Sequence, residues 1–152
     1  MSTRRAMATL LVLLALCWGG TGYAATRPTD AHDYRRAAIE AARSAYDVTV
    51  TVRLVGSARA AGRLPLPYTV ATLNDGRSAL AGAAQRLVVA RPVDDATARI
   101  RDRLGPLLLA AAAGLDDLRR AVRAPDLAAL TGAVAALAPV GTALAAFLAE
   151  YG

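Results

Sequence analysis

The chain contains no lysine; all 18 of its basic side chains are arginine. Chemistry that runs through a lysine amine is therefore excluded: a phosphate-loop lysine, a Schiff base, a serine–lysine dyad. Histidine and cysteine occur once each, as His32 and Cys17, and the only glutamates are Glu40 and Glu150. Neither glutamate has a histidine three residues on, so a di-metal bundle of the Glu-x-x-His kind cannot be assembled. Aromatic residues make up 5%. Alanine and leucine are plentiful instead, 38 and 22 of 152 residues, and apolar residues reach 55% against 20% charged. That mixture is too apolar for a disordered chain. It fits long helices packed through small side chains, within one domain of ordinary size.

The first 25 residues read as an export signal. Arg4 and Arg5 begin it, and Ala6 to Trp18 is an apolar run too short to span a bilayer. Gly19, Gly20 and Gly22 break it, and Gly22 and Ala24 place small residues at −3 and −1 of a cleavage after Ala24. Leu16 before Cys17 is too large for a lipid-attachment site, and the twin arginines lack the rest of their export motif. Cleavage removes Cys17, Trp18 and both methionines, so no disulfide can form in the mature chain. Residues 26–152 keep 16 arginines against 12 acids, a net +4.

Four helices are expected in that domain. Tyr34, Ala38, Ala41, Ala45, Val48, Val52 and Val55 recur at spacings of four and three, after a start at Thr29 or Asp30. Asp33, Arg36, Glu40, Arg43 and Asp47 form a second, charged ladder on the same period. Val48 to Val55 also alternates like a strand, with Tyr68 to Leu73 as its partner. The unbroken helical phase favours helix. A second helix fits Pro67 to about Ala90, with Val70, Leu73, Leu80, Ala84 and Leu87 on one face. Asp94 is a cap for a third, whose inward residues are Ile100, Leu104, Leu108, Ala111, Leu115, Leu118 and Val122. Asp95–Arg99 and Asp116–Arg120 are placed for surface pairs, and Arg119, Arg120 and Arg123 suit the negative end of this helix. Pro125-Asp126 opens the last helix. Short connections imply an all-α, antiparallel four-helix bundle.

The last helix runs from Leu127 to Ala149 without a charge, long enough to cross a membrane. Its large residues nevertheless keep to one seam: Leu127, Leu130, Val134, Leu137, Leu144 and Leu148, with Gly141 in the missing place. A narrow seam with an alanine back is a bundle helix rather than an all-round lipid surface.

No catalytic, cofactor or metal site emerges, and no enzyme is expected. His32 sits between acids in a first turn, where an exposed residue is the simplest reading. Asp94-Asp95 and Asp116-Asp117 are neighbours about 100° apart on a helix, so neither pair converges on one atom. Ser44, Ser57 and Ser78 have no nucleophile-elbow context, and a haem with two protein ligands lacks its second one.

The arginines carry the one suggestive feature. Between Val48 and Val93 lie Arg53, Arg59, Arg63, Arg77, Arg86 and Arg91 against a single acid, Asp75. If the first two helices form a hairpin, Arg53 and Arg77 become near neighbours, with Arg59 and Arg63 closer to the turn. Arg77 also falls in phase with the apolar stripe of its helix. The four make a candidate anion-binding patch, since planar guanidinium forks suit phosphate or carboxylate. The function expected is an exported, non-enzymatic binding or interaction protein of the bacterial cell envelope or exterior. An anionic partner (phosphopolymer, lipid headgroup or acidic protein) suits it; no nucleic acid is expected, and self-association is compatible with it. The alternatives are a carrier of an apolar ligand in the bundle core, loosened at Pro106 and Pro139, and a membrane-tethered helical protein.

Overall fold

The computed structural model describes residues 30–152; Cys17 and the expected export signal and cleavage site lie outside the described residues. Four helices account for 88% of what is described: α1 (Ala31–Ala60), α2 (Leu66–Val89), α3 (Asp95–Arg123) and α4 (Leu127–Tyr151). There is no strand among the described residues, and Val48–Val55 continues α1 without a break.

Local chemistry sets the ends. Asp30, Asp94 and Asp126 each stand before a helix and accept backbone N–H groups that have no partner within it. At α3 the cap is reciprocal: Thr97 N–H donates to Asp94 Oδ1 at 2.7 Å, and Asp94 N–H donates to Thr97 Oγ1 at 3.1 Å. Helix α1 is closed off by Gly62, two residues past its end, whose φ of +70° lets Gly62 N–H reach Arg59 O and Arg63 N–H reach Ala58 O, at 2.9 and 2.8 Å. This paired closure needs a left-handed residue, which glycine adopts without strain.

Helix α1 touches all three other helices, whereas α2 and α4 do not touch within the described residues. Alanine permits that central position. Ala38, Ala41, Ala42 and Ala45 are fully buried, so α3 can approach α1 across the middle of the molecule. The core is completed by Tyr34, Leu73, Leu104, Leu115, Leu118, Leu137, Leu144 and Phe147. Two glycines mark the closest approaches. A Cβ at Gly56 would stand 2.6 Å from Val134 on α4, and one at Gly114 would stand 2.5 Å from Leu137.

Helix α4 is long and apolar enough to cross a membrane by length and composition. Its outward face is exposed and small: Ala128, Gly132, Ala135, Pro139, Thr142 and Ala146. The seam faces inward through Leu130, Leu137, Gly141 and Leu144, with Phe147 added beside it. Leu127, expected within the seam, is 61% exposed at the first turn.

Candidate functional site

The turn between α1 and α2 and the connection between α3 and α4 meet at one end of the molecule. Together they line a cleft of about 360 Å³, with Arg59 and Gly62 on one side and Pro125, Asp126 and Leu127 on the other. The Schellman closure at Gly62 fixes this geometry, because it turns the chain back directly after Arg59. Arg59 then donates from Nη1 to Leu64 O at 3.1 Å, which ties the guanidinium to the turn. Arg63 projects from the turn into solvent. Asp126, the acid in the cleft, is occupied as a helix cap, accepting from Ala128 N–H at 2.9 Å and Ala129 N–H at 3.0 Å. Its charge therefore balances the positive start of α4 rather than Arg59.

Arg123 ends α3 one residue before Ala124, which also lines this cleft. The sequence offers Arg123 only as a partner for its own helix dipole. Its membership of this end follows from the two connections lying together.

The other two arginines of the expected patch lean elsewhere. Arg53 lies along α4: a Cβ added at Gly141 would stand 4.0 Å from its Nη1, and its Nε is buried with no hydrogen bond among the described residues. Arg77 comes within 3.4 Å of Asp116 on α3. The step of about 100° between successive helical residues explains the separation. Gly76, one residue earlier, is the side of α2 that meets α1, against Val48 and Val52. Arg77 is accordingly turned outward and 63% exposed, off the buried stripe that Gly76 occupies. Arg59 and Arg63 thus both belong to the end of α1 and its turn, while Arg53 lies against α4 and Arg77 approaches α3.

Carboxylate pairing is sparser among the arginines between Val48 and Val93 than in the rest of the described residues. Of those six arginines only Arg77 has a carboxylate within 4.0 Å among the described residues. Elsewhere Arg36, Arg101, Arg103, Arg119 and Arg120 have one, and Arg35, Arg43, Arg99 and Arg123 do not. Arg103 is the most elaborately held, donating to Glu150 at 2.6 Å while its guanidinium stands over the Tyr151 ring.

No family model matches the chain, and neither a characterised protein nor a solved structure resembles it. His32 is exposed in the first turn of α1, and no three His, Cys, Asp or Glu side chains among the described residues gather as metal ligands. Pro106 and Pro139 both face solvent. The Arg103–Glu150 and Gly114–Leu137 contacts set Pro106 near the level of Ala146, roughly two helical turns from Pro139. The two kink sites therefore do not open one region of the core.

Proposed function

We propose that residues 26–152 form an antiparallel four-helix bundle, exported to the bacterial cell envelope or beyond after loss of residues 1–25. Its role is non-enzymatic: it binds an anionic partner at the end carrying Arg59, Arg63 and Arg123. The bundle reading draws support from pairs such as Asn74 with Arg119, Gly114 with Leu137 and Gly56 with Val134. With Arg77–Asp116, Arg103–Glu150 and Gly141–Thr49 they fit antiparallel neighbours, the residue number rising on one helix as it falls on the other.

The observation that carries the binding role is the surplus of arginine without carboxylate partners on the first hairpin. A guanidinium without a carboxylate keeps its fork available for phosphate or carboxylate. Exposed cations of one sign also draw an anionic surface from a distance set by the ionic strength.

Sedimentation with anionic liposomes or an anionic phosphopolymer, at low and moderate salt, tests the proposal. The wild type should bind, and binding should weaken as salt rises. Arg59→Gln with Arg63→Gln should reduce it, whereas Arg53→Gln with Arg77→Gln should leave most of it. Equal binding by the first variant would remove Arg59 and Arg63 from the role. Export is tested separately by the intact mass of secreted protein, which should begin at Ala25 or within a residue or two; a retained Met1 would refute it.

A further inference from the structure

The cleft between α2 and α3 holds about 240 Å³ and is more enclosed than the one at the turns. Its shape follows from residue size. Ala81 and Ala84 on α2 and Ala112 on α3 leave a trough between the larger Leu80, Leu108 and Leu115, and Leu109, 73% exposed, stands as its lip. The trough runs from Arg77 to Ala84, seven residues or roughly 10 Å of helix.

One end is charged, and the charge does not balance. Asp116 accepts a hydrogen bond from Arg119 at 3.1 Å, and Arg119 donates also to Asn74 Oδ1 at 2.9 Å. Asp116 is therefore already neutralised by a well-held arginine. Arg77 approaches the same oxygen only through Nε at 3.4 Å and makes no hydrogen bond of its own among the described residues. It is the surplus cation of the group, with the fork of its guanidinium open to solvent.

We propose that this trough binds a single-chain carboxylate amphiphile, its apolar tail over Ala81, Ala84 and Ala112 and its carboxylate on Arg77. Apolar surface is what a hydrocarbon tail needs, and a half-open trough leaves the charged head in water where its desolvation costs little. A planar fork meeting a carboxylate gives two parallel hydrogen bonds, which fixes the head at one end. This goes beyond the anionic partner at the turns and uses different residues.

The test is calorimetric titration of the purified protein with decanoate, held below the concentration at which decanoate self-associates. Saturable binding of one decanoate per chain is expected. Arg77→Gln should weaken it about threefold, the scale of a solvent-exposed ion pair. Ala84→Leu, a strong helix former that fills the trough, should abolish it. Decanol should bind more weakly than decanoate, and acetate should not bind. Circular dichroism verifies that each variant is folded. Absence of decanoate binding, or binding unchanged in the folded Ala84→Leu variant, overturns the proposal; decanol binding as tightly as decanoate overturns the role of Arg77. The Arg59→Gln, Arg63→Gln protein should bind decanoate normally, so this site and the one at the turns succeed or fail separately.

Discussion

Alanine substitution at two helical glycines should have opposite effects on stability. A Cβ at Gly132 meets no atom within 4 Å, so Gly132→Ala gains only helix propensity, about 0.8–1 kcal/mol. Gly56→Ala gains the same propensity but drives its methyl to 2.6 Å from Val134 and 3.1 Å from Leu118, on two different helices. Val134 is β-branched and stiff at χ1, so it has no easy rotamer to escape into. Overpacking of this kind costs about 1–3 kcal/mol, and the two-sided contact places Gly56 toward the upper figure. The net expectation is a loss of about 1–2 kcal/mol for Gly56→Ala. Thermal unfolding followed by circular dichroism should show a midpoint roughly 3–10 °C below wild type for Gly56→Ala, and a few degrees above it for Gly132→Ala. Adding Val134→Ala to Gly56→Ala supplies the missing space, so the double variant should lose less than the two single losses combined. A Gly56→Ala protein as stable as Gly132→Ala would refute the close packing of α1 against α3 and α4.

Two further outcomes follow from buried and capping groups. Tyr34 is fully buried and its hydroxyl has no hydrogen-bond partner among the described residues; burial, opposed by Arg101 and reinforced by Asp102, raises its pKa. Tyr34→Phe removes an unsatisfied group while keeping the ring, so urea unfolding should find it at least as stable as wild type, by up to about 1 kcal/mol, and a clear loss would argue against the orphaned hydroxyl. The Asp94 carboxyl is held below the ordinary carboxylate range, first by the Thr97 backbone N–H and then by its hydroxyl. A carboxyl depressed by folding stabilises above its unfolded pKa and loses that contribution as pH falls through the folded value. The deficit of Asp94→Ala in thermal melts should therefore be present at pH 7 and shrink in acid, and an undiminished deficit below the folded pKa would contradict the sign.

How far the sequence is legible depends on what each helix touches. In α3 every residue of the expected stripe, from Ile100 to Val122, is buried, because large leucines alternate with charge and the periodicity is clean. In α1 the stripe is present but too narrow: Ala42, Thr49 and Gly56 are buried as well, since this helix meets three neighbours. Alanine and glycine carry little hydropathic contrast, so a wide face built from them leaves no strong period. Phe147 lies off the leucine seam of α4, with its ring centroid 4.7 Å from that of Tyr151. The surface pairs differ from the expected Asp95–Arg99 and Asp116–Arg120. Asp116 takes Arg119 and Arg77, while Asp117 takes Arg120. Exposed pairs at neighbouring spacings differ by only tenths of a kcal/mol, so spacing alone cannot choose among them.

Alanine both brings the helices together and shapes the exterior, at different positions. Where alanine faces inward, as at Ala38 and Ala41, α1 and α3 close on each other, and the centre fills with Leu104, Leu115, Leu118, Leu137 and Leu144. Where alanine lies between two helices at the surface, the backbones cannot close further because the interior already sets their distance. The shortfall in side-chain volume becomes a groove: Ala81, Ala84 and Ala112 between α2 and α3, and Ala129, Ala133 and Ala136 between α3 and α4. An apolar tail can be covered in such a groove without displacing a buried leucine, a displacement that would cost about 2–5 kcal/mol in lost packing. The proposed binding of an amphiphile therefore falls at a helix boundary, where Arg77 stands beside the groove.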